Sequence, residues 1–98
     1  MIYKLEFKKS ALKEWEKLGH TVKEQFKKKL KERLENPHVP SAALSGAKSL
    51  YKIKLRQLGY RLVYLVEDNT ITVTVIAVGK RDRNEIYDIA LSRIHDKH

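Results

Sequence analysis

Residues 50–66 read LYKIKLRQLGYRLVYLV, and the fold follows from how this stretch divides. Apolar and polar residues alternate in it, the two-residue period of half-buried strands. Gly59 marks a turn. The spacing predicts one strand over residues 50–55 and a second over 60–67. Residues 68–69, Asp-Asn, suit a tight turn. The β-branched run TITVTVIAV, residues 70–78, then predicts a third strand. Three consecutive strands of this kind form a meander.

Upstream, IYKLEFK at residues 2–8 alternates again and predicts a further strand, with Tyr3, Leu5 and Phe7 on one face. Ser10 is placed to cap a short helix over ALKEWEKL, with Ala11, Leu12, Trp15 and Leu18 inward and Gly19 in the left-handed closing position. Thr21 and Glu24 have capping-box spacing. Val22, Phe26, Leu30 and Leu34 recur every four residues, so a second helix is expected from there to Glu35, where Asn36-Pro37 stops it. Residues 37–49 are expected to be a linker and GKRDR, residues 79–83, a loop. Ile86, Ile89, Ala90 and Ile94 place a final helix over residues 83–94. The order β-α-α-β-β-β-α implies an α+β fold: a helical hairpin packed on a mostly antiparallel four-stranded sheet, with the first strand at an edge or the centre.

The 98 residues suffice for a single domain, 1–98. A formal charge of +9 points to an anionic partner. With no cysteine, disulfides, thiolate metal sites and cysteine nucleophiles are excluded. No apolar run approaches the roughly 20 residues that span a bilayer, so no membrane association and a cytoplasmic location are expected.

The charge is unevenly placed. No Asp or Glu lies between Glu35 and Glu67, an interval holding Lys48, Lys52, Lys54, Arg56 and Arg61. The strand period puts Tyr51, Ile53 and Leu55 on one face and Lys52 and Lys54 on the other. Arg61 can join them across the hairpin, and Lys80, Arg81 and Arg83 follow the last strand. Lysines on a sheet can simply deter edge pairing. The absence of interleaved acid, with Tyr51, Tyr60, Tyr64 and Tyr87 nearby, favours a surface that binds phosphates and stacks bases, as single-stranded RNA recognition requires.

The stretches ALKEWEKLG, YKIKLRQLGYRLVY and VGKRDRNEIY resemble the RelE family of bacterial toxin–antitoxin toxins, from the first strand into the last helix. The resemblance implies the microbial-RNase-like RelE fold. It also implies a ribosome-dependent messenger RNA endonuclease that cuts the A-site codon, halts translation and needs neither metal nor cofactor. Implied partners are the ribosome with its rRNA, mRNA, a RelB-like antitoxin and, through that antitoxin, operator DNA, in a bacterial or archaeal cytoplasm. Residue by residue, the family's active positions fall on Lys52, Lys54, Arg61, Arg81 and Tyr87. Lys48, Arg56, Lys80 and Arg83 are expected to bind RNA or ribosome. The terminal HDKH departs from the family pattern.

The implied reaction is attack of an RNA 2′-OH on the adjacent phosphate, leaving a 2′,3′-cyclic phosphate and a 5′-OH. His20, His38, His95 and His98 lie in turns, the linker or the tail, so lysine and arginine must carry it. Neighbouring cations lower a lysine pKa, which makes Lys54 the candidate base. Arg61 and Arg81 offer forked donors to the phosphorane. Lys52 adds field, and Tyr87 can stack on or orient a nucleotide. Two rivals stay open: a ParE-like toxin that poisons gyrase without catalysis, and a plain nucleic-acid-binding module.

Overall fold

In a computed structural model the described residues are 2–80 and 85–95. β1 (Lys4–Phe7) leads into α1 (Lys9–Glu16) and α2 (His20–Glu35). A short 3-10 turn at Pro40–Ala42 precedes β2 (Leu50–Leu55), β3 (Tyr60–Glu67) and β4 (Thr72–Lys80), and α3 (Glu85–His95) closes the chain. The sheet order is β1-β4-β3-β2, so β1 lies at an edge, parallel to β4, while β2, β3 and β4 form the expected antiparallel meander.

The helices occupy both faces of the sheet. On one, Ala11 of α1 and Val22, Phe26 and Leu30 of α2 bury Ile53, Leu55, Leu62, Tyr64, Val73 and Val75. On the other, Ile86 and Ala90 of α3 cover Leu50, Val63, Ile76 and Ala77. Each fully buried Leu, Ile or Phe stabilises the fold by about 1.5–3 kcal/mol. Trp15 touches Phe26 with ring centroids 6.2 Å apart, linking α1 to α2. The pairing of β3 with β4 slips between Val63 and Tyr64, leaving Ile76 as the extra residue of a bulge. Ile76 and Ala77 therefore both enter the α3 core, and the strict alternation of β4 breaks there.

Several local expectations differ from the structure. Lys8 donates its N–H to Val75 at 3.0 Å, so the sheet holds the chain to that point and α1 begins at Lys9, with Ser10 inside it. Gly19 has φ −67° and is the N-cap of α2, not a left-handed closing residue. Because α2 starts at His20, Thr21 and Glu24 both lie within the helix and form no capping box; Glu24 pairs with Lys27 at 3.2 Å. Leu12 is exposed. Residues 68–71 make successive i→i+3 bonds (Thr70 to Glu67, Ile71 to Asp68), and Ile71 has φ 51°, so β4 starts at Thr72 and absorbs Gly79 and Lys80. The linker is partly ordered: Ala43 bridges Tyr51, and Ala42 and Leu44 are buried. The expected first residues of the last helix and the terminal HDKH residues 96–98 fall outside the described residues.

Candidate RNA-cleavage site

The meander assembles the cationic cluster. Lys54 stands directly opposite Arg61 across β2–β3, and Arg61 stands opposite Gly79 across β3–β4. Lys52 is two residues back along β2, on the same face. Gly59, at φ 73°, permits the turn that sets this register, donating its N–H to Leu55 at 2.8 Å.

α3 brings Tyr87 over the row. Gly79 faces α3: a Cβ there would meet Ile86 Cδ1 at 3.4 Å, about van der Waals contact, so α3 packs directly on this part of β4. The Arg61 guanidinium lies 5.1 Å from the Tyr87 ring centroid and the Lys52 ammonium 5.5 Å. The cluster thus sets two cations against one aromatic ring, with Lys54 opposite Arg61 beside them.

The electrostatics follow from that crowding. The Lys54 amine is held below its ordinary value, first by Lys52, then by lost hydration, then by Arg61 and Arg56. Burial raises the Tyr87 phenol, opposed by the adjacent Arg61. The Tyr87 hydroxyl is shielded from solvent and makes no hydrogen bond of standard geometry among the described residues. The pull of Arg61 on it is therefore best described as that of a nearby charge rather than of a formed hydrogen bond.

Lys52, Lys54, Arg61 and Tyr87 come together as expected. Arg56 is exposed in the turn beyond β2 and close enough to act on Lys54. Lys48 lies in the turn before β2, where Ser49 has φ 65°, outside the strand that carries Lys52 and Lys54. Lys80 is in register with Tyr60, which packs on the α1/α2 core, so Lys80 stands on the opposite face from Arg61. Arg81 and Arg83 lie outside the described residues.

Three of the four tyrosines proposed for base stacking are elsewhere. Tyr64 is fully buried under α2, donating its hydroxyl to the Pro37 carbonyl and accepting from Arg33, both at 2.9 Å. Tyr51 stacks on Tyr64 at 5.6 Å and reaches His38 at 3.1 Å. Tyr60 packs on the same core. His38 bonds Asp68 at 2.9 Å, and Asp68 also accepts from Tyr3 at 2.7 Å. These contacts hold the Asp68 carboxyl below its usual range and occupy His38 away from the cationic row.

A second pair carries no signal in the sequence: Glu14 and Arg93, 79 residues apart. β1 ends at Phe7, opposite Val75, so β4 has an open edge beyond that point. Glu14 accepts from the Val78 N–H at 3.2 Å, and Arg93 donates to the Ile76 carbonyl at 2.8 Å. The two side chains meet around that edge in a bidentate pair, both contacts 2.9 Å. They replace the missing strand and tie α3, with Tyr87, to α1.

A small mixed sheet carrying three helices and a cationic row is the architecture of a type II toxin: the family model described as "ParE toxin of type II toxin-antitoxin system, parDE" matches residues 5–85. The mRNA interferase toxin RelE of Escherichia coli strain K12 is 56% identical over 94 residues, 96% of this chain and 99% of that protein. A double arginine-to-alanine mutant of E. coli RelE in the free state matches with TM-score 0.88 at 54% identity, covering 96% of this chain and 99% of that one. RelE from the intact E. coli RelBE toxin–antitoxin complex matches with TM-score 0.80 at 57% identity, covering 83% and 99%. Within the family whose model bears the ParE name, this chain belongs to the RelE toxins.

Proposed function

We propose that this chain is an mRNA endonuclease that inhibits translation by cutting the codon in the ribosomal A site. Membership of the RelE toxins supports the activity, since its relative in E. coli is named an mRNA interferase. The observation that carries the chemistry is the convergence of Lys52, Lys54 and Arg61 beneath Tyr87.

In the proposed step, Lys54 in its neutral form takes the proton of the 2′-OH. The 2′-oxygen bonds to phosphorus, and the bond from phosphorus to the 5′-oxygen breaks. That oxygen gains a proton to become the 5′-OH, and the other fragment keeps a 2′,3′-cyclic phosphate. Arg61 faces the non-bridging oxygens with its fork. Arg81, assigned by the resemblance alone, adds a second fork and helps the leaving oxygen acquire its proton. Lys52 strengthens the field, and Tyr87 orients the nucleotide. Among the described residues no imidazole stands beside this row, and an amine is a poorer general base near neutral pH than an imidazole. Chemistry of that kind needs the RNA held in near-attack geometry, which is worth up to about 7–11 kcal/mol. The ribosome supplies that geometry.

The storage partner we propose is a RelB-like antitoxin, as in the RelBE complexes formed by relatives, acting with this chain on operator DNA. Among the described residues no helix is long and apolar enough to cross a membrane, and a substrate on ribosomes puts the protein in the cytoplasm.

Primer extension on one mRNA, with and without ribosomes, tests the reading. Cuts at the A-site codon only with ribosomes, lost in Arg61→Ala, support it. Efficient cutting of naked RNA would overturn the ribosome dependence. A folded protein that cuts nothing and inhibits gyrase would return the ParE-like alternative.

A further inference from the structure

A cleft of about 560 Å³ opens between α2 and the β2–β3 turn. Resting on the proposed cleavage site, we infer that this cleft is a second RNA subsite, holding the strand next to the scissile phosphate. Thr21, Gln25 and Lys29 form its α2 wall; four-residue spacing puts them in one stripe. Lys54, Arg56 and Gln57 form the other.

Three features give the cleft its ligand chemistry. No carboxylate lines it, while Lys29, Lys54 and Arg56 do. Among the described residues Lys29 and Arg56 have no ion-pair partner, whereas Lys27 is engaged by Glu24. Gln25 and Gln57 each offer both donor and acceptor, able to read base edges. Leu58, 40% exposed, adds apolar surface for a ribose or base. The volume is in the range of ligand sites, about 300–1,000 Å³.

Lys54 connects the two sites. Among the described residues β2 is the outer strand of the sheet, met beyond it by the single bridge of Ala43 to Tyr51, away from Lys54. The Lys54 side chain therefore belongs both to the row with Lys52 and Arg61 and to the wall of the cleft. A strand whose reacting phosphate lies at Arg61 can pass Lys54 around this edge, its next phosphate meeting Arg56 and Lys29. That continuity favours RNA over an acidic protein segment.

The test uses the full chain and three short RNAs, each with 2′-deoxyribose at the cut position. One is a dinucleotide spanning that position; the other two are tetranucleotides, one extended on each side. Binding is followed by amide NMR titration at several salt concentrations. One of the two extended RNAs should bind more tightly than the dinucleotide and shift the Thr21, Gln25, Lys29 and Gln57 amides. Lys29→Ala should lower its salt slope by about 0.7, one phosphate contact, and leave dinucleotide binding unchanged. If the slope change appears only with empty ribosomes, the strand in the cleft is ribosomal RNA, and the proposed continuity with the scissile strand is overturned. Equal slopes for all RNAs and for ribosomes, in wild type and variant, would overturn it. Loss of antitoxin affinity alone would give the cleft to an acidic protein instead. Dinucleotide binding that ignores Lys52→Ala would mark failure of the cleavage-site reading, separately from the cleft.

Discussion

Arg93→Ala should loosen α3 and with it the site. In the folded chain Arg93 makes two 2.9 Å contacts to Glu14 and one of 2.8 Å to the Ile76 carbonyl. The two side chains are only 22% and 28% exposed. An exposed pair contributes about 0.2–1 kcal/mol, and breaking a fully buried one costs about 3–5 kcal/mol. Three-quarters burial puts the loss between these limits, at about 2–3 kcal/mol, because Glu14 keeps only the Val78 N–H and the Ile76 carbonyl is orphaned. For 98 residues each kcal/mol shifts Tm by about 4–8 °C, so Tm should fall by about 8–24 °C. Glu14→Gln retains an acceptor and should cost about half as much. Thermal unfolding by circular dichroism reads the shift. RNA cleavage, assayed well below both transitions, should fall as Tyr87 leaves Arg61 and Lys52. A Tm drop under about 3 °C, or full activity with a detached α3, would refute the reasoning.

Four further outcomes are expected. Tyr64→Phe leaves the Pro37 carbonyl without its donor in a buried site, costing about 1–3 kcal/mol with cleavage intact once folded; denaturant unfolding measures it. Lys52→Ala should abolish most cleavage yet melt no lower than wild type, because it removes repulsion between like charges. Cleavage should rise with pH, by up to about tenfold per unit below the Lys54 pKa, and Lys54→Arg should flatten the profile. The sign in stability is the same: a lysine held low in the folded state destabilises it below the folded pKa, and this is relieved as pH rises through that value towards the unfolded one. Sulfur in place of a non-bridging oxygen at the cut phosphate should slow cleavage equally with magnesium and with manganese; selective rescue by manganese would show a metal at the phosphate.

The sheet was legible because alternation with Gly59 and one face of aliphatic residues admits a single register for β2 and β3. That register alone sets Lys54 against Arg61. α2 was equally plain from Val22, Phe26 and Leu30. What escaped depended on distant parts of the chain. The start of α1 is set by Lys8 bonding to Val75, not by Ser10. The bulge at Ile76 redirects β4 without any glycine to announce it. Tyr51, Tyr60 and Tyr64 looked like partners for RNA because their neighbours in sequence are cationic, but strand parity sends all three to the α1/α2 core. The Glu14–Arg93 pair exists because β1 is too short to cover β4, which no local pattern reveals. The candidate catalytic set came from the resemblance; side-chain chemistry and strand parity alone would have selected Lys52, Lys54 and Arg61.

The central claim is that the cationic row directs a 2′-OH against its neighbouring phosphate. The most direct measurement programs ribosomes with an mRNA carrying one 2′-deoxynucleotide at the A-site cut position. The account predicts that cleavage there disappears while cutting at an unmodified control codon continues. Undiminished cleavage at the 2′-deoxy position would contradict it, because the nucleophile would then not be the 2′-oxygen.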